Sequence, residues 1–368
     1  MRKKIGIVTL VGYFNYGNRL QNYALQQALM SLGYDCETII FEEKTVYKKR
    51  NTLIRLINYF RYPILNKIKV IKRTLTKKEY IESEKIRYNT FYQFSKLHIL
   101  ESKTYNIDNN DDSELLNKYD CFIVGSDQVW NPNYIQDTRQ FFLQFTENQK
   151  KIAYAASFGI SEIPIQYVDL YRSSLIDFKF ISVREESGAQ IVKELTNTDV
   201  QVLVDPTLLI GKEEWLNISI KAKNRPETGY LLTYFLSKKS RRIHEFIKQF
   251  AKKNNLSIIN LGIKSEKETY RTGPNEFIDY IHKCSILFTD SFHGSVFSIL
   301  FEKPFVVFDR GDMNSRISTL LRKFRLEDRH WNSIKTNKNY FDINYSHIPI
   351  IIEEEKEKSI TFLKSMLS

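Results

Sequence analysis

The chain has 368 residues, 42% hydrophobic and 14% aromatic, which excludes a disordered chain and suggests two domains. Its 55 Lys and Arg against 43 Asp and Glu give a net charge of +12, but the excess is local. Lys48–Lys78 holds eleven basic residues and no acid, leaving about +1 for everything else, so a general nucleic-acid-binding surface is disfavoured.

Cys36, Cys121 and Cys284 are widely spaced and form no CxxC pair, which argues against a disulfide framework and a zinc site. No run reaches the roughly 18 to 20 apolar residues of a membrane span. Met1–Lys4 is basic and precedes an apolar run, but that run is short and no small-residue cleavage site follows. It reads as a first buried strand, and the expected location is cytoplasmic.

Short apolar runs alternating with helical periodicity predict βαβ units and parallel sheets. In chain order, Ile5–Leu10 reads as a strand, Asn18–Leu32 as a helix closed by Gly33, and Glu37–Phe41 as a strand. Within the basic segment, Leu53, Leu56, Ile57 and Phe60, then Ile64, Ile68, Ile71 and Leu75 beyond Pro63, predict two helices with apolar stripes. A helix around Lys78–Leu97 follows, then strands at Cys121–Val124, Lys151–Ala155, Phe180–Val183 and Val200–Val204, the last two bracketing a helix over Glu185–Leu195. After the polar stretch Lys221–Gly229, strands are expected at Tyr230–Phe235, Ser257–Leu261, Ser285–Thr289 and Pro304–Phe308. Helices at Lys238–Lys253, Glu276–Lys283 and Gly294–Phe301 alternate with them, and Ile351–Met366 reads as a closing helix. The pattern predicts two Rossmann-like α/β domains facing a cleft, residues 1–222 with a basic helical insertion at about 48–100, and residues 223–345. Residues 346–368 close the fold. Ligands of such sheets sit beyond the C-terminal strand ends.

Four strand-end motifs carry candidate chemistry. Gly12–Asn22 joins the first strand to the first helix and matches neither the dinucleotide nor the Walker pattern. Its Asn15, Gly17, Asn18 and Gln21 suit a hydroxyl-rich ligand, or a tight turn capped by Asn18. Gly125–Pro132 supplies Asp127, Gln128 and Trp130, fit for a stacked sugar or for a capped turn beside a packed indole. Arg184 at a strand end suits a carboxylate or phosphate, with Glu185 as its ion partner or as a first-turn acid. Asp205-Pro206 more often marks a structural turn. In Phe288–Ser295, His293 alone of six histidines sits at a strand-to-helix junction, beside Ser291, Gly294 and Ser295. It is the natural general acid or base, with helix-start amides for phosphate. Arg310 and Arg316 follow the next strand and could reach the same cleft.

Taken together, these motifs resemble the polysaccharide pyruvyl transferase family. The matching elements are the Asn-Gly-Asn start of the first helix, Gly125-Ser-Asp-Gln-Val-Trp, Ser182-Val-Arg-Glu, Asp205-Pro-Thr-Leu, and the His293 segment leading to Lys303-Pro304-Phe-Val-Val, in the family's order over about residues 4–320. The resemblance implies a fold like that of the two-domain GT-B glycosyltransferases. It also implies transfer of pyruvate, as a ketal, from phosphoenolpyruvate to a sugar of a cell-surface polysaccharide or its lipid-linked precursor. Arg184 would then bind an anionic group of the donor, with Ser291, Gly294, Ser295, Arg310 and Arg316 around it. His293 would be the acid/base, and Asp127 or Glu185 the carboxylate base. Where the family often has Arg-Leu-His, this chain reads Ser291-Phe-His293. Either Arg310, Arg316 or another basic residue substitutes, or the donor differs.

The scheme demands neither a metal nor an organic cofactor. The alternative enzyme is a GT-B-type glycosyltransferase using a nucleotide sugar in bacterial surface-glycan synthesis. Residues 48–78 read either as helices with a solvated basic face or as a contact with an anionic membrane surface, which would place the chain peripherally at the inner face.

Overall fold

The computed structural model describes residues 2–42, 64–108, 113–134, 137–310, 315–333 and 339–367, with the backbone alone over 64–78. Two parallel sheets organise the chain. The first comprises β1 (Lys4–Val8), β2 (Asp35–Phe41), β3 (Glu101–Tyr105), β4 (Cys121–Val124), β5 (Lys151–Ala156), β6 (Phe180–Val183) and β7 (Gln201–Val202), in the order β3-β2-β1-β4-β5-β6-β7. The second comprises β8 (Tyr230–Tyr234), β9 (Ser257–Leu261), β10 (Ile286–Thr289) and β11 (Phe305–Val307), in the order β11-β10-β8-β9. The central strands β4, β5, β8 and β10 are buried along their whole length, which is why they read as predominantly apolar runs.

Each sheet has one place where the strand order reverses: between β1 and β4, and between β8 and β10. Loops leaving such neighbours diverge and open a crevice at the carboxyl ends. Three of the four sequence motifs occupy loops that follow these strands, after β1, β4 and β10, while the Arg184 motif follows β6.

Several elements differ from expectation. Residues 48–63 of the basic segment lie outside the described residues. From Ile64 onward, the second predicted stripe and the Lys78–Leu97 helix are one helix, Ile64–His98. The strand predicted at Val200–Val204 contracts to two residues, because Val204 leads into a 3-10 turn at Pro206–Leu208 capped by Asp205. The helix carrying His293 starts at Phe292, two residues early, because Ser291 is its N-cap.

Packing ties the sheets together. Tyr16, in the helix α1 (Tyr16–Ser31), stacks on Phe91 of the long helix and on Phe277, with centroids 5.2 and 4.3 Å away. Arg87 is buried beside it. Its Nη1 donates to the Tyr16 hydroxyl at 3.0 Å and to the Tyr270 and Thr272 carbonyls, and its Nη2 to the Phe14 carbonyl at 3.0 Å. The C-terminal helix Ile348–Leu367 runs back to the first sheet, where Lys3 Nζ donates to the Leu367 carbonyl at 2.6 Å. Among the described residues, no helix is long and apolar enough to cross a membrane.

Candidate active site

A cavity of about 360 Å³ lies where the two crevices meet. The first sheet contributes Leu10, Asn15 and Asn18 after β1, and Asp127, Gln128 and Tyr134 after β4. The second contributes Leu236 after β8, then Ser291, Phe292 and His293 after β10. Arg310 and Arg316, beyond β11, complete it. Eight of the residues expected at the site from the sequence therefore share one wall or another.

Behind the wall is a buried charge cluster. Asp205 is its centre: Oδ2 pairs with Arg184 Nη1, faces His293 Nε2 at 3.5 Å and accepts from Ser126 Oγ at 3.3 Å. Oδ1 caps the turn, accepting from Thr207 N at 3.0 Å and Thr207 Oγ1 at 2.7 Å. Arg184 bridges onward, its Nη2 donating to Asp127 Oδ1 at 3.2 Å, and Arg316 Nη1 stands 4.0 Å from the same oxygen. The Phe292 ring lies 4.2 Å from the Arg184 guanidinium and 5.9 Å from that of Arg316, a cation–π contact with each.

The electrostatics follow from this packing. Burial alone would raise the Asp205 carboxyl, but His293 and Arg184 outweigh it and hold the group below the usual carboxylate range. Asp127 is likewise held low against burial by Arg184, His293 and Arg316. Arg316 is pushed down to about 10 by burial and by the like charge of Arg184, and so stays cationic at neutral pH. Two carboxylates, two guanidiniums and one imidazole thus converge behind the cavity wall, and Asp127, His293 and Arg316 among them line the cavity itself. Nε2 of His293 has no hydrogen-bond partner within the protein. Its ring rests directly on the α-carbon of Gly17, where a side chain would overlap it.

Other expected residues have different places. Trp130 is 0% exposed, its Nε1 donating to the Phe141 carbonyl at 3.0 Å, so it has no face to offer a sugar. Glu185 is buried away from the cavity. Its Oε1 accepts from Ser157 Oγ at 2.9 Å, Phe158 N at 2.8 Å and Gly159 N at 3.1 Å, fixing the loop after β5. Arg184 is itself locked between two carboxylates, behind the lining residues. Gln21 Nε2 holds Thr9 Oγ1 at 2.8 Å and its Oε1 accepts from Ser126 N at 3.1 Å, joining α1 to the turn after β4. Gly294 N donates to Ser291 Oγ and Ser295 N to the Ser291 carbonyl, so these two amides serve the helix cap and not a phosphate. Asn15 caps α1 while also lining the cavity, and Asn18 Oδ1 is buried there without a partner. Sequence reasoning underweighted Asp205, whose only local signal is its turn motif. Among the described residues, no three His, Cys, Asp or Glu side chains gather as for a metal ion.

Comparison with known proteins follows the same lines. A family model described as polysaccharide pyruvyl transferase matches residues 15–312, about four-fifths of the chain, and the chain belongs to that family. A protein from Listeria monocytogenes assigned as a UDP-N-acetylglucosamine 2-epimerase shares its fold, with 9% identity, 98% of each chain covered and a TM-score of 0.50. A UDP-GlcNAc 2-epimerase from Neisseria meningitidis aligns over 97% of this chain and 100% of its own, at 12% identity and a TM-score of 0.43. An α-glucosyltransferase solved with UDP and DNA covers 99% of this chain and 95% of its own, at 9% identity and a TM-score of 0.48. The two-sheet parallel α/β architecture expected from the sequence is the one present, and it is shared with the Listeria protein. No curated protein sequence matches.

Proposed function

We propose that this member of the polysaccharide pyruvyl transferase family moves a pyruvyl group from phosphoenolpyruvate to two hydroxyls of a surface-glycan sugar. The observation that carries the reading is His293, paired with Asp205 and facing a cavity lined by Arg310 and Arg316. In this scheme His293 gives a proton to the methylene carbon of the donor, leaving C2 electron-poor. One sugar hydroxyl adds to C2 and passes its proton to Asp127. Phosphate leaves with the C–O bonding pair and takes that proton, while the guanidiniums stabilise the departing charge. The second hydroxyl then adds to C2, closing the ketal and returning a proton to His293.

Ser291, standing where the family often has arginine, is a helix cap, and Arg316 with Arg310 takes the part of the missing guanidinium. The two sheets are read as two domains, residues 1–222 and 223–345, bridged by the C-terminal helix, with donor and acceptor meeting between them. Peripheral attachment to an anionic membrane through residues 48–78 belongs to the same reading. Flotation with anionic but not neutral vesicles, lost on deleting that segment, supports it; equal behaviour with both removes it.

The direct test incubates the protein with phosphoenolpyruvate and lipid-linked or polymeric surface glycan. Inorganic phosphate and a glycan heavier by one pyruvyl ketal are expected, and His293→Ala should abolish both. Thermal stabilisation by nucleotide sugars but not by phosphoenolpyruvate would replace this reading with the glycosyltransferase one.

A further inference from the structure

Beside the cavity, the long helix Ile64–His98 carries aromatic side chains where a solvent-facing helix ordinarily carries charge. Tyr88 and Tyr92, one turn apart, have ring planes within 9° of parallel and centroids 6.3 Å apart. The loop after β1 adds two more rings. Tyr13 lies 4.9 Å from Tyr88 and 6.0 Å from Tyr92, and Phe14 lies 6.2 Å from Tyr88. Phe14 is 47% and Tyr88 41% exposed, with Tyr13 and Tyr92 half-buried, so the rings form one patch open to solvent.

The patch and the cavity share the loop after β1. Leu10 and Asn15, which bracket Tyr13 and Phe14 in the chain, both line the cavity. The patch is also held firmly, because Arg87 Nη2 donates to the Phe14 carbonyl at 3.0 Å. Three of the four rings end in a phenol, which gives an apolar face with a polar rim. A pyranose has the complementary surface: C–H bonds on one face and hydroxyls at the edge. Charge points away from a lipid surface here, since Glu79, Glu82 and Glu84 match Lys85, Arg87 and Lys96 over residues 79–98.

We propose that Tyr13, Phe14, Tyr88 and Tyr92 form a platform for an oligosaccharide, stacking sugars beyond the one held in the cavity. The proposal rests on the glycan-acceptor reading above and assigns its extended part a site. The test applies the full chain to a printed array of bacterial surface oligosaccharides, with Tyr88→Ala, Tyr88→Phe and the Tyr88→Ala/Tyr92→Ala pair beside the wild type. Phosphate release from phosphoenolpyruvate is measured on the same preparations, and melting temperatures confirm folding. Wild type should retain glycans of several sugars, the pair should bind them about tenfold more weakly, and Tyr88→Phe should stay near wild type. Three results would overturn the platform: no glycan retained, equal retention by the alanine variants, or variants losing only affinity for phosphatidylglycerol vesicles. Weakened glycan binding together with no phosphate release by wild type would leave the platform standing and remove the donor reading. Glycan-dependent phosphate release with acceptor KM unchanged in the variants would do the reverse.

Discussion

Gly17→Ala is a one-carbon test of the active-site geometry. The added Cβ would stand 2.6 Å from Cγ of His293 and closer still to Nδ1 and Cε1, against an ordinary carbon contact of about 3.5 Å. The imidazole or the start of α1 must therefore move by roughly 1–1.5 Å. Alanine is the better helix former, by about 1 kcal/mol, which offsets part of an overpacking cost of about 1–3 kcal/mol, so the protein should remain folded. A displacement of that size at the reacting groups costs on the order of 100-fold in rate, equivalent to about 2.7 kcal/mol. The assay is phosphate release from phosphoenolpyruvate with glycan acceptor, with circular dichroism and a thermal melt on the same sample. Activity within threefold of wild type in a folded variant would refute the argument that this contact fixes the histidine.

Other expectations follow from the same cluster. Asp205→Asn should cost about 3–5 kcal/mol at neutral pH by leaving Arg184 underpaired in the interior. Because Asp205 and Asp127 both ionise below their usual range, their contribution is present above the unfolded value of about 4 and lost as pH falls through the lower folded values. Urea melts should therefore show wild type losing stability on acidification below about pH 4 more steeply than Asp205→Asn. Arg316→Gln should raise the KM for phosphoenolpyruvate by about tenfold or more while moving the acceptor KM little, as expected for a lost charge-assisted bond. Trp130→Phe should lower stability by about 1–3 kcal/mol through the vacated bond to Phe141 and the lost volume, with acceptor KM within about twofold of wild type.

The strands that matter for the site were legible because burial on both faces writes them as apolar runs: Cys121–Val124 and Ile286–Thr289 needed no other signal. Glu101–Tyr105 was not, since Glu-Ser-Lys-Thr-Tyr at a sheet edge has neither alternation nor an apolar core. His293 was legible from its junction. Asp205 was only half legible, because a turn cap and a charge partner call for the same residue: Oδ1 holds Thr207 while Oδ2 meets Arg184 and His293. Trp130 and Glu185 show the converse. A polar or aromatic residue after a strand carries no local sign of whether it faces the crevice or the loop beneath, and both turned inward.

Arg87 sets a mechanical limit on how this enzyme is loaded. Its guanidinium is the rivet between two plates, gripping Phe14 on one side and Tyr270 and Thr272 on the other. Swinging the plates apart would strip those acceptors from a buried cation, at about 1.5–3 kcal/mol for each bond. The gap between the sheets is thus preset by the chain. The long helix, which supplies the rivet, sets the gauge of the cavity without reaching into it.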